Sequence, residues 1–136
     1  MSHAPDRAVA VALHDGQVLV IARQKEGRAY CVLPGGGVEP GEPPEVAVLR
    51  ELAEETGLMG TVSRPLWTIE HHDRRAHYFL VAVEPGPMTL GGPEASTRTT
   101  TNDYAPQWLS MDSLDDGSLQ PESIRDLVRA VEAEIG

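Results

Sequence analysis

The segment from Pro34 to Leu58 constrains this chain more than any other. It opens on Pro34-Gly35-Gly36-Gly37, which reads as a tight turn where missing side chains let backbone approach its neighbours closely. A stretch with helical periodicity follows. Pro43 suits a first helical position, where its absent N–H is not needed, and Gly57 suits the residue just past the end. At about 100° per residue, Val46, Leu49, Leu52, Ala53 and Thr56 gather on one side, which is expected to face the core. Glu51, Glu54 and Glu55 fall within about 100° of one another on the opposite side, with the small Ala47 between them in projection.

Three carboxylates on one helical face repel one another unless a cation stands between them. All-oxygen ligation suits a hard divalent ion, Mg²⁺ or in its place Mn²⁺. On an arbitrary helix such a trio is a solvated face. Here Arg50 adjoins the carboxylates and the glycine run lies directly before the helix, so a built site is the better reading. The glycines do not form a Walker A loop, because no Lys-Ser or Lys-Thr follows at the required spacing.

Around this element the pattern alternates between strands and turns. Arg7 to Leu13 and Val18 to Ile21 flank Asp15-Gly16, a strong hairpin signal. Lys25 to Ala29 reads as a loop, and Tyr30 to Leu33 as a short strand ending at Pro34. Thr61 to His72 and His77 to Glu84 read as strands joined at Asp73-Arg74-Arg75, and Gln107 to Met111 as a last strand. Pro85 to Asp103 reads as one long loop. Pro121 to Ile135 carries Ile124, Leu127, Val128, Val131 and Ile135 at helical spacing. With 136 residues, no internal repeat and no linker, residues 1–136 are expected to form a single domain.

Charge narrows the function classes. Twenty-one acidic and eleven basic residues give a net charge of −10, which disfavours a nucleic acid polymer or an anionic membrane as partner. An anionic small molecule stays compatible if arginines, backbone amides or bound cations supply local positive charge. Cys31 is the single cysteine and no signal or membrane-length apolar run is found, so a cytoplasmic location is expected. His71, His72 and His77 do not supply a tetrahedral zinc set.

The central residues read Gly36, five residues, Glu42, seven residues, then Arg50-Glu51-Leu52-Ala53-Glu54-Glu55-Thr56-Gly57-Leu58. This pattern resembles the signature of the Nudix family at every defined position. The resemblance implies an α/β fold, a Nudix-type α/β/α sandwich with a central mixed β-sheet. It implies a Mg²⁺-dependent hydrolase in which water attacks a phosphorus atom of a nucleoside diphosphate derivative. Carried over residue by residue, Glu51, Glu54 and Glu55 ligate the metal with the Gly35 carbonyl as a further ligand. Arg50 and Glu42 orient those carboxylates, and Glu51 or Glu54 accepts the proton of the attacking water. Some relatives use an acidic residue from a later loop, for which Asp103 is the candidate here, with Glu94 behind it.

The substrate lies outside the signature. Arg23 and Arg28 are phosphate candidates, Arg74 and Arg75 could clamp phosphate or stack on a base, and Tyr30 and Tyr78 are further contact candidates. Trp108 is expected to pack in the core. No added motif typical of NADH, coenzyme A or ADP-ribose enzymes of that family is evident. Elimination favours a nucleoside or deoxynucleoside triphosphate, cleaved to monophosphate and pyrophosphate. The alternatives are ADP-ribose or a dinucleoside polyphosphate as substrate, or a domain that senses a nucleotide without turnover. Many relatives dimerise, so a homodimer is one assembly the resemblance allows.

Overall fold

The computed structural model of the chain describes residues 5–71, 73–84, 86–88, 102–116 and 118–135; at 71, 102, 103 and 135 it describes backbone alone. β1 (Arg7–Val11) is followed by β2 (Leu13–His14), β3 (Gln17–Lys25), β4 (Arg28–Val32) and the glycine strand β5 (Gly35–Gly37). After α1 (Pro44–Thr56) come β6 (Gly60–His71), β7 (Arg74–Val83) and β8 (Asn102–Ser110). A short 3₁₀ turn, β9 (Leu119–Gln120) and α2 (Ser123–Ile135) complete the order.

Two mixed sheets carry the fold. One has the order β5-β1-β7-β6, in which β1 runs parallel to β7 and antiparallel to β5. In the other, β3 is the hub: it pairs antiparallel with β2, β4 and β8, and β4 pairs parallel with β9. The expected hairpin forms, with Asp15 and Gly16 both at positive φ, but only Leu13 and His14 belong to it. The rest of the first apolar run, β1, pairs with strands remote in sequence.

Three further expectations change. Lys25 to Ala29 is a second tight hairpin, not a loop, because Glu26 and Gly27 take positive φ and bring Lys25 opposite Arg28. The glycine run is a strand rather than a turn: Gly35, Gly36 and Gly37 pair with Val9, Ala8 and Arg7. The last long strand begins at Asn102, so Asp103 is in a strand, in register with Gln24. Glu94 lies outside the described residues.

Helices cover opposite sides of the strands, as the sandwich requires. Ala8, Ala10 and Ala12 cluster with Ala47, Val48 and Leu52 of α1. Val9 and Val11, from alternate positions of the same segment, cluster with Ile124 and Val128 of α2. Burial of α1 departs from the stripe expected above. Ala47, Val48, Leu52 and Thr56 are the buried residues, whereas Val46 is 53% exposed. The buried arc from Ala47 to Thr56 therefore takes in the helical positions of Glu51 and Glu55, which are half-buried rather than on the solvent side. The helix ends where Gly57 takes φ 77° and its N–H donates to the Ala53 carbonyl, while the buried Thr56 hydroxyl accepts from the Leu58 N–H.

Candidate active site

The carboxylates of α1 are positioned by the glycine strand. A Cβ on Gly36 would collide with the Glu51 carboxyl group, so only glycine lets that side chain lie against β5. The Gly35 N–H donates to Glu55 Oε1 at 2.8 Å. Gly35 itself abuts the backbone of Ala8 and Val9, where a Cβ would again collide. The helix face and the strand thus meet without intervening side chains.

Arg50 ties this junction together. Its Nε and Nη2 donate to Glu42 at 2.9 and 3.0 Å, a two-pronged pair. Nη1 donates to Glu51 at 3.0 Å and lies 3.5 Å from Glu54, and Nη2 also donates to the Gly37 carbonyl at 3.0 Å. One guanidinium therefore bridges the loop after β5, the helix and two of the three carboxylates. Hydrogen bonding from Arg50, then from the Glu39 N–H, holds the Glu42 carboxyl down at about 2. The same pair raises the Arg50 pKa above its ordinary value. Glu42 and Glu51 are largely shielded, with side chains 12% and 14% exposed, and Glu54 is the open one at 38%.

A pocket of about 320 Å³ lies beside Glu51 and Glu55. Its floor is Gly35, Gly36 and Gly37, and its walls include Ile21, Val32, Leu33 and Tyr104. Two cations line it as well, Arg7 and Arg23. Arg23 stacks over the Tyr104 ring at 4.2 Å, and its buried Nε has no hydrogen-bond partner. A ligand entering this pocket meets both carboxylates and guanidinium groups.

The remaining sequence candidates separate. Tyr30 is opposite Arg23 in register and lines an adjoining recess of about 330 Å³ with it. Arg28 and Tyr30 border another recess of about 290 Å³ near the β3–β4 turn. Arg74 and Arg75 open β7, where the exposed Arg75 stands 3.8 Å from Glu70; neither lines the carboxylate pocket. Tyr78 is buried and stacks on Trp67 with ring centroids 5.4 Å apart. Burial pushes its phenol pKa up, partly offset by the charge of Arg7. Trp108 packs against the α1-side core, with its ring 5.9 Å from that of His14. His77 bonds Asp6 at 2.8 Å and lies 3.3 Å from Thr68, a structural link away from the carboxylates.

Arg7 and Tyr104 were not singled out from the sequence. Arg7 enters through the pairing of β1 with β5, in which it opposes Gly37. Tyr104 enters because β8 starts earlier than its composition suggests, which brings Tyr104 opposite Arg23.

A sandwich with a carboxylate-bearing helix pressed onto a glycine strand defines the class of molecule. The chain belongs to the Nudix family: the NUDIX domain profile matches residues 4–130. A MutT-like protein of Streptomyces ambofaciens is 31% identical over 123 residues, covering 90% of this chain and 74% of that protein. The mouse (Mus musculus) diphosphoinositol polyphosphate phosphohydrolase 3-alpha is 42% identical over 69 residues, 51% of this chain. The chain spans only 42% of the length of that mouse protein. A crystal structure of a MutT NUDIX hydrolase from Burkholderia pseudomallei has a TM-score of 0.64 and 26% identity, covering 82% of this chain and 86% of that one.

Proposed function

We infer that this chain is a Mg²⁺-dependent hydrolase that cleaves a phosphoanhydride bond of a nucleoside triphosphate, releasing a monophosphate and pyrophosphate. The observation that carries this reading is the carboxylate pocket, lined together by Glu51, Glu55, Arg7, Arg23 and the three glycines of β5. The donor set fits a hard divalent ion, since the groups are carboxylate oxygens and the Gly36 position leaves Glu51 room beside the backbone. Glu51, Glu54 and Glu55 would hold the metal, with the Gly35 carbonyl as a further ligand. As placed, no three acidic, His or Cys side chains among the described residues stand together as a ready cation site.

When bound, the metal supplies charge neutralisation at the phosphoryl group and lowers the pKa of water. The chain's own residues do the rest. Arg50, held by Glu42, keeps Glu51 oriented. Arg23, prearranged by Tyr104, receives phosphate oxygens in the same pocket. Glu51 or Glu54 accepts the proton of the attacking water, and Asp103, in the strand that presents Tyr104, is the other acidic candidate. A nucleotide is favoured over a polyphosphorylated ring because the neighbouring cavity is mostly apolar and, among the described residues, carries one cation, Arg7.

The test is a panel of nucleoside triphosphates and sugar-linked diphosphates with Mg²⁺ or Mn²⁺, with products identified. Turnover should require the metal and fall about 100-fold or more in Glu55→Gln, as loss of several kcal/mol of transition-state stabilisation implies. Turnover that survives both chelation and Glu55→Gln would sink the mechanism. Tight nucleotide binding without hydrolysis of any compound would favour a sensing domain.

A further inference from the structure

Beside the carboxylate pocket lies a second, larger cavity of about 510 Å³ between β1, β7 and the start of α2. The two share three wall residues, Arg7, Val32 and Leu33. Most of the second wall is apolar, including Val9, Ile69, Ala76 and Ile124. Among the described residues its polar lining is Arg7, Tyr78, Gln120 and Ser123, with no carboxylate. Arg7 is thus the only charged residue among the described residues that line this cavity, and it is placed in the wall common to both. Among the described residues none is hydrogen-bonded or ion-paired to its guanidinium, whose charge acts on the neighbouring Tyr78, itself stacked on Trp67.

An arginine offers donors only, in a planar fork. It therefore matches a ligand edge with two adjacent acceptors and mismatches an edge that presents a donor beside an acceptor. A 6-oxopurine shows O6 and N7 side by side, whereas adenine replaces O6 with an amino group. Resting on the triphosphate reading above, we propose that Arg7 is the specificity-determining residue of this site. A purine occupies the apolar cavity, and the Arg7 guanidinium pairs with O6 and N7 of a 6-oxopurine while the phosphates extend toward Arg23 and the α1 carboxylates. Arg7 thereby sets both the choice of base and its position relative to the reacting phosphates.

The experiment measures binding of nucleoside monophosphates without added metal, so that it does not depend on turnover. Intrinsic tryptophan fluorescence is the readout, because Trp67 stacks on Tyr78 at the cavity wall. GMP and IMP should bind about tenfold or more tighter than AMP, and 7-deaza-GMP should lose much of that advantage. Arg7→Met should bring the IMP-to-AMP ratio close to one, and Arg7→Lys should restore it only in part. Arg7→Gln replaces Arg7→Met if melting shows the latter unfolded. Equal binding of IMP and AMP by the unaltered protein overturns the proposal. So does a ratio that survives Arg7→Met, or a uniform weakening of every monophosphate, which would make Arg7 a phosphate contact. A preference for 6-oxopurines that depends on Arg7, in a protein that hydrolyses no triphosphate, would defeat the hydrolase reading and leave this one standing.

Discussion

The two sides of β1 are packed on different terms. Toward α1 the strand shows Ala8 and Ala10, and its neighbour β5 shows only glycine, so helix and strand approach closely enough for carboxylates to touch backbone. Toward α2 the same strand shows Val9 and Val11, yet a cavity of about 510 Å³ remains. Small side chains make the tight side and larger ones border the roomy side. The first face fixes charged groups against backbone, and the second leaves open volume. Close packing is also the more fragile arrangement, because a single added methyl has nowhere to go.

Two adjacent glycines offer the sharpest way to break that comparison. In Gly35→Ala the new Cβ meets backbone of Ala8 and Val9, which cannot swing aside. The expected loss is about 3 kcal/mol, or roughly 10 °C in Tm, read by thermal denaturation. In Gly36→Ala the Cβ meets the end of the Glu51 side chain, which can move. Stability should change by about 1 kcal/mol or less while turnover falls about 100-fold, since the carboxylate leaves its place. Equal melting losses for the two variants would show that the glycine strand acts only as a packing element.

Arg50→Lys probes the tie across the tight side. A lysine cannot reproduce the two-pronged contact with Glu42 and still reach Glu51 and Gly37. Activity or Mg²⁺ affinity should fall about 10- to 100-fold. On the roomy side, Ala76→Leu should be tolerated within about 1 kcal/mol because it grows into open volume, but KM for a nucleotide should rise about tenfold. An unchanged KM would separate the cavity from substrate binding.

The smallest expected effect is on acid stability. Glu42 is held down at about 2 in the folded chain, against an ordinary value of 4.5. The unfolded chain therefore binds the proton first, and the stability contributed by this carboxylate is complete above about pH 4.5 and lost as pH falls through about 2. The difference in melting temperature between the unaltered chain and Glu42→Gln should shrink steadily from pH 5 toward pH 2. A difference independent of pH would mean that the Arg50 pair does not persist in solution.

Much of the site was legible because it is encoded locally. Arg50, Glu51, Glu54 and Glu55 are within one and a half turns of a single helix, and the glycines precede it at fixed spacing. Helix periodicity failed to choose which arc was buried. Val46 and Ala47 differ little in their capacity to face a core, and the packing of Ala47 with Ala8 and Ala10 of β1 settled the matter. Long loops were over-read for a similar reason. Arg28, Ala29 and the residues after 101 have polar surroundings in the sequence, but pairing with β3 makes them strand and leaves only Glu26 and Gly27 as a turn.

The sequence by itself determined the family, the carboxylate helix and its glycine partner, because those depend on residues near one another along the chain. Only the tertiary structure decided what surrounds them. The pairing of β1 with β5 and β7 brings Arg7 to the wall of both cavities, and the pairing of β3 with β8 sets Tyr104 under Arg23. Such contacts join residues tens of positions apart, and no local periodicity specifies which strand will be the neighbour.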